Sequence, residues 1–148
     1  MNKIKIIPFE MIHLKAIDLR EYEANLGFLK NLDEDYFKQM ELQNNAHTIL
    51  LDGVILACWG YNFMWKGVCE LWTIPSKYIE ENGQVYAKVT KQQFRKFEKI
   101  YNFHRIQMTT LADKAHIRWM KFLEFKREGI LHKYSEHGDN FIMWARAI

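Results

Sequence analysis

Cysteine and proline are nearly missing from this 148-residue chain, each occurring twice, and glycine occurs seven times. Two thiols, Cys58 and Cys69, are too few for a disulfide scaffold and lack a Cys-x-x-Cys partner, so reduced thiols in a cytosolic setting are expected. The scarcity of Pro and Gly excludes collagen-like and low-complexity architecture. No apolar run approaches the roughly 18 residues needed to span a bilayer, so no membrane partner is expected. Met1 to Phe9 has no continuous apolar segment long enough for a signal peptide, and none is expected. An excess of one charge is also missing: 21 Lys and Arg face 18 Asp and Glu, a formal net charge of +3 that implies no nucleic-acid partner by itself. What the chain does have is apolar and aromatic surface. It is 49% hydrophobic and 15% aromatic, with five Trp and ten Phe, which excludes a disordered chain. Its length suits one domain, 1–148, that buries roughly 68–70% of its unfolded surface without metal or disulfide support.

The pattern of elements is legible along the chain. Lys3 to Ile7 alternates polar and apolar residues up to Pro8 and reads as a short strand. Asp33 caps a helix to about Asn44, with Tyr36, Phe37, Met40 and Leu42 as its apolar side. His47 to Leu51 and Val54 to Trp59 flank Asp52-Gly53, the pair that a type I′ hairpin favours because both turn residues take positive φ. A second reversal near Trp65-Lys66-Gly67 leads into a strand from Val68 to Ile74, ended by Pro75. Tyr86, Val89, Gln93, Phe97 and Ile100, widened by Phe94 and Tyr101, then recur at helical spacing, with Lys88, Lys91, Arg95 and Lys99 on another face. His104 to Thr110 is a strand. Asp113 caps a helix with Trp119, Met120, Phe122 and Leu123 apolar. Ile130 to Tyr134 and Phe141 to Ala145 form a closing hairpin around Glu136 to Asp139. The order β, helices, βββ, α, β, α, ββ predicts one α/β domain, with Val68 to Thr110 as a parallel crossover.

These residues resemble the GNAT superfamily of acetyl-CoA-dependent N-acetyltransferases. Where its members commonly carry Asn, then Ala three on, a Leu-Tyr pair and Leu-Gly-Phe, this chain has Asp113, His116, Trp119-Met120 and Leu123-Glu124-Phe125. The run from Lys126 to Tyr134, with His137-Gly138-Asp139 and Met143-Trp144-Ala145-Arg146, looks like the ending of compact phage-encoded GNAT-like proteins. His116 to Lys121 also resembles the acetyltransferase-like internal virion proteins of T7-like phages. The resemblance runs from about His47 to the end. It implies a GNAT fold, with a mixed central sheet of six to seven strands flanked by helices and a splayed parallel pair in the middle. It further implies acetyl-CoA as cofactor, bound between the strand ending at Ile74 and the strand from His104, and an amine acceptor. Two departures stand out. The segment from Ser76 to Gln84, at the place of the pyrophosphate loop, has one glycine and the carboxylates Glu80 and Glu81; Met120, where many members have a proton-donating Tyr, has no proton to give.

Acetyl transfer to an amine needs a neutral nucleophile, a polarised carbonyl and an exit for the thiolate. The resemblance assigns polarisation to a backbone amide within Leu71 to Ile74. The cofactor contacts it implies are Trp72, Thr73, Ile74, Asn82, Gly83, Gln84, Lys88 and Asp113, with Lys77 and Lys91 as further sources of charge. The titratable candidates are Glu70 and His116, with Tyr134 a substitute for the missing Tyr. Each has a plainer reading: Glu70 as a solvated strand residue, His116 as a local hydrogen-bonding group, Trp72 as core, and the lysine face as a solvated face. Cys58 and Cys69 lack an activating neighbour, and with the histidines they make no zinc spacing, so no metal is expected. The rival reading is an inert GNAT scaffold acting as a phage virion or host-interaction component through a protein partner; nucleic acid is the more remote reading. Both favoured readings place the chain in the cytoplasm, the host's if phage-encoded, or in the virion.

Overall fold

In the computed structural model, which describes residues 3–26, 29 and 33–148, Asp52 and Gly53 take φ values of 50° and 82° and close the expected hairpin. They join β2 (Ala46–Leu51) to β3 (Val54–Trp65), paired antiparallel from Ala46↔Gly60 to Leu51↔Val54. The other strands are β1 (Ile4–Pro8), β4 (Val68–Pro75), β5 (Arg105–Leu111), β6 (Lys126–Leu131) and β7 (Phe141–Ala147). The helices are α1 (Met11–Ala16), α2 (Glu21–Ala24), α3 (Glu34–Gln43), α4 (Gly83–Ile100) and α5 (Lys114–Phe122), with a 3₁₀ turn at Lys77–Glu80. One seven-stranded sheet results, in the order β1-β2-β3-β4-β5-β7-β6. Its parallel pair is β4 and β5, in register from Val68↔Arg105 to Glu70↔Gln107; β5–β7, β6–β7, β1–β2 and β2–β3 are antiparallel.

Contacts divide the chain into two compact units, Met1–Tyr61 with Trp72–Gly83, and Asn62–Leu71 with Gln84–Ile148. In the first, Phe9, Leu14, Ile17, Phe37, Met40, Ala46, Cys58 and Ile74 form a buried cluster. Phe9 and Phe37 set their rings edge-on to Trp72 at 6.3 and 5.9 Å. In the second, Phe94, Phe97, Phe103, Ile106, Met108, Met120, Leu123, Ile142 and Trp144 are buried. Burying each such side chain contributes about 1.5–3 kcal/mol relative to leaving it in water.

Asp33 and Asp113 cap α3 and α5 as the sequence predicts, accepting from the backbone N–H of Tyr36 at 3.1 Å and of His116 at 2.8 Å. Several other expectations are corrected. β1 includes Pro8, which an edge strand tolerates because its nitrogen needs no partner. β3 continues to Trp65, and β6 starts at Lys126, leaving Tyr134 outside any strand. Leu42 and Phe122 are exposed because each lies two positions, about 200° of helix, beyond a buried methionine, Met40 or Met120. The expected stripe on α4 also ends early: Ile100 and Tyr101 are exposed, since Phe103 folds back to meet Phe97 at 5.1 Å and closes the helix end. In the stripe's middle Thr90 is fully buried, its hydroxyl donating to the carbonyl of Tyr86 at 2.8 Å.

Gly60 lies under Trp72, where a Cβ would stand 2.7 Å from the indole Cε2 and 2.9 Å from the Asn45 carbonyl oxygen, whereas a Cβ at Gly53 meets nothing within 4 Å. Gly60→Ala should therefore cost about 3 kcal/mol through overpacking. Gly53→Ala should cost about 1 kcal/mol through its positive φ alone. Urea denaturation of the two variants checks the difference, and equal costs would contradict it.

Candidate active site

The residues singled out in the sequence fall in both units. In the first, Ile74 at the end of β4 is buried with 3% exposure, while Trp72 and Thr73 are half-buried. Trp72 packs among Phe9 and Phe37 as core, and its buried Nε1 has no hydrogen-bond partner among the described residues. Ser76 accepts from the Tyr78 N–H at 3.2 Å and starts the 3₁₀ turn. Lys77 pairs with Asp18 at 2.9 Å, and that carboxylate raises its ammonium pKa. Asn82 spends its side-chain amide on the Tyr78 carbonyl at 2.9 Å. Gly83 opens α4 with open space where a Cβ would stand. Glu80 and Glu81 are exposed.

In the second unit, two helix starts are joined by one seam. Tyr86 of α4 stacks on Trp119 of α5 with centroids 5.3 Å apart, and the indole Nε1–H donates to Thr90 at 3.1 Å. At the head of α5, Asp113 Oδ1 accepts the backbone N–H of His116 and stands 2.7 Å from His116 Nδ1. A carboxylate at that distance accepts from Nδ1–H, and in the neutral ring that tautomer leaves Nε2 as the acceptor. The His116 side chain is 22% exposed, so a ligand can reach it. The pairing fits the local hydrogen-bonding reading and also the geometry of a general base held by a carboxylate. Gln84 and Lys88 are exposed on the first turns of α4. Much of the expected lysine face is tied: Lys91 and Arg95 reach Glu124 at 3.4 and 3.0 Å, and Arg95 reaches Glu98 at 3.2 Å. Glu70, half-buried on β4, accepts from Gln107 Nε2 at 3.0 Å. Met120 is completely buried. Tyr134 is 56% exposed with its ring against Phe141 at 5.3 Å, outside the Asp113–His116 and Tyr86–Trp119 contacts. Among the described residues no group of three or more His, Cys, Asp or Glu is placed to hold a metal ion, and no helix is long and apolar enough to cross a membrane.

Neither a family model nor a curated protein matches the sequence. Solved structures do. An N-acetyltransferase from Staphylococcus aureus Mu50 superposes with a TM-score of 0.76 at 15% identity, covering 98% of both chains. RimL, a ribosomal L7/L12 alpha-N-protein acetyltransferase in complex with coenzyme A, gives 0.75 at 11% identity over 98% of this chain and 94% of its own. A GNAT-family acetyltransferase from Bacillus anthracis gives 0.70 at 16% identity over 97% and 94%. The chain has the GNAT fold. Within that fold, reasoning from the sequence missed Thr90 and Gln107, because a lone threonine among lysines and a lone glutamine on an alternating strand carry no local signal.

Burial answers the question of nucleophilic thiols. Cys58 and Cys69 are both 0% exposed, and desolvation pushes each thiol from 9.0 up to about 12. The carboxylates of Glu98 and Glu70 add to the rise at Cys69. Below pH 9 folded and unfolded chains both hold these protons; between 9 and about 12 only the folded chain does. Stability must fall across that window by about 1.4 kcal/mol per pH unit for each thiol. Cys58→Ala should make the alkaline slope of unfolding free energy shallower than wild type, as read by urea titrations at successive pH values. An unchanged slope would contradict the assignment. On the α4–α5 seam, Thr90→Val should cost about 1–3 kcal/mol by stranding the Trp119 N–H, with thermal unfolding as the check.

Proposed function

We propose that this protein is an N-acetyltransferase that takes the acetyl group from acetyl-CoA and passes it to an amine, working as a single GNAT domain over 1–148. The observation that carries this reading is the sheet with its parallel pair, β4 and β5, within a fold matched along 97% and more of the chain by acetyltransferases. RimL supports the choice of carrier, being a structure in complex with coenzyme A. A backbone amide within Leu71 to Ile74 would polarise the thioester carbonyl, a role that needs no particular side chain and so survives 10–16% identity. Amides at the start of α4, near Asn82, Gly83 and Gln84, would face the pyrophosphate, where unpaired N–H groups and the helix dipole favour an anion. Lys88 would add charge there, with Trp72, Thr73, Ile74 and Asp113 as further contacts. Glu70 and His116 are the candidates for taking the amine proton, and Tyr134 for returning one to the thiolate. The acceptor is an amine of a small molecule or of a protein, and the setting is the cytoplasm.

A second reading keeps the fold and drops the chemistry, leaving a binding component of a phage particle or of a phage–host contact. It is favoured by Met120, which is completely buried and cannot donate a proton, and by the exposed carboxylates Glu80 and Glu81 ahead of α4. Isothermal titration tests the coenzyme binding that the transferase reading requires. Acetyl-CoA and desulfo-CoA should each give saturable heat; the absence of heat at millimolar concentration of both would remove the transferase reading. In that case a stoichiometric protein partner should be recovered instead.

A further inference from the structure

Along β5 the buried side chains Ile106, Met108 and Thr110 alternate with Arg105 and Gln107, which therefore occupy the opposite face of the sheet. On that face a row of polar groups drawn from β4, β5 and β6 spans four strands, with β7 between the last two. Gln107 Nε2 donates to Glu70 Oε2 at 3.0 Å, and Arg105 Nε donates to Gln107 Oε1 at 2.9 Å. The Arg105 fork closes the row on Glu128 at 2.9 and 2.6 Å. The strand between is small on this side, because β7 sets Ala145 opposite Gln107 and Ala147 opposite Arg105. Glu128 sits where the β6–β7 register slips between Arg127 and Gly129, a bulge that re-aims its side chain.

The chemistry of the row fixes its direction. A guanidinium can only donate and an ionised carboxylate can only accept, so the Gln107 amide has one orientation that satisfies both neighbours. Arg105 holds the Glu128 carboxyl below its ordinary range, and Glu128 in turn raises Arg105, so this pair is charged and self-compensating. Glu70 is different: among the described residues it has Gln107 as its partner and no ion pair, with Oε2 engaged and Oε1 left over.

We propose that Gln107, held in one orientation by the Arg105–Glu128 pair, is a positioning residue that fixes the Glu70 carboxylate as the proton acceptor for an incoming amine. This rests on the acetyl-transfer reading. The amine nitrogen forms a C–N bond to the acetyl carbon, the C–S bond breaks with its electron pair on sulfur, and the N–H proton passes to Glu70 Oε1. The thiolate takes a proton from Tyr134, and the Tyr134 phenolate regains one through solvent from Glu70. An unrestrained glutamate would lose reactive geometry to side-chain rotation; the amide removes that freedom in advance.

The test combines calorimetry with turnover, using acetyl-CoA and three acceptors: an aliphatic diamine, a lysine-bearing peptide and a peptide with a free N-terminus, with release of the coenzyme thiol as readout. Glu70→Gln should lower kcat by about 10²–10⁴. The isosteric Gln107→Met should lower kcat about tenfold with the KM for acetyl-CoA unchanged, a smaller loss than at Glu70 because the base remains and only its orientation is lost. Gln107→Glu places a like charge beside Glu70 and should move the acid limb of the kcat profile to higher pH. Wild-type kcat and an unmoved profile in both Gln107 variants would overturn the proposal. So would heat from acetyl-CoA without turnover of any acceptor, which leaves coenzyme binding standing; absence of heat instead removes the acetyl-transfer reading on which the proposal rests. A readout independent of turnover is the Gln107 side-chain amide resonance, which should move with pH in wild type and in Glu70→Gln keep only the part that follows Glu128 through Arg105. An amide insensitive to that substitution in the folded variant also overturns the proposal.

Discussion

In the second unit two indole N–H groups, one half-buried and one buried, are each satisfied by a threonine hydroxyl. Trp119 of α5 donates to Thr90 of α4 at 3.1 Å, and Trp144 of β7 donates to Thr110 of β5 at 2.9 Å. Leaving such a group unpaired costs about 1–3 kcal/mol, so each bond selects one packing among those the apolar surfaces alone would tolerate. The first fixes the rotation of α5 against α4 and with it the place of Asp113 and His116. The second ties β7 to β5 and so places Ala145 and Ala147 beside Gln107 and Arg105. The helix that carries His116, and the strand packed beside Gln107, are thus each tied by a hydroxyl inside the core.

The two faces of β5 divide the labour. One carries Ile106, Met108 and Thr110 into the apolar interior, which sets stability; the other carries Arg105 and Gln107, whose hydrogen bonds set the direction of Glu70. Exposed ion pairs contribute little stability, with a median of about 0–1 kcal/mol, so the Arg105–Glu128 contact has its main consequence in geometry. The cluster of Lys91, Arg95 and Arg146 around Glu98 and Glu124 is of another kind. It joins α4, the end of α5 and β7, and it uses up charge that the sequence alone left available to a ligand.

Local rules carried the sequence reading a long way. Asp52-Gly53 specifies its turn by backbone sterics, Asp33 and Asp113 specify helix starts by their own hydrogen bonds, and the order of elements follows from where the hydrophobic period changes. Each of these signals lies within a few residues. The errors arise where the decisive neighbour is distant or where periodicity fades. Ile100 and Tyr101 fit the helical stripe, but Phe103 takes the space beneath the helix end. The links from Gln107 to Glu70 and from Arg105 to Glu128 span 37 and 23 residues, so no pattern in either segment announces them. The strand of Glu70 and the helix of His116 were legible; their partners were not, apart from Asp113, which is three residues from His116.

The cysteines narrow what chemistry this fold can perform. Both are buried, neither is drawn toward the thiolate by a cation, and Cys69 lies within the influence of two carboxylates that oppose ionisation. A thiol nucleophile needs the opposite surroundings, an exposed site beside positive charge. Neither cysteine is therefore placed to relay an acyl group, and under the proposed transferase reading an acceptor meets its donor directly. Direct attack puts the whole burden on a single proton transfer and on alignment. The half-buried groups that can serve such a step are oxygen and nitrogen atoms held by neighbours, Glu70 by Gln107 and His116 by Asp113, while the main chain of β4 can supply polarisation without any side chain. Under that reading the divergence at Met120 leaves proton management to these held groups and to Tyr134, which makes the residues that support Glu70 and His116, more than the core, the places where activity and fold can be separated.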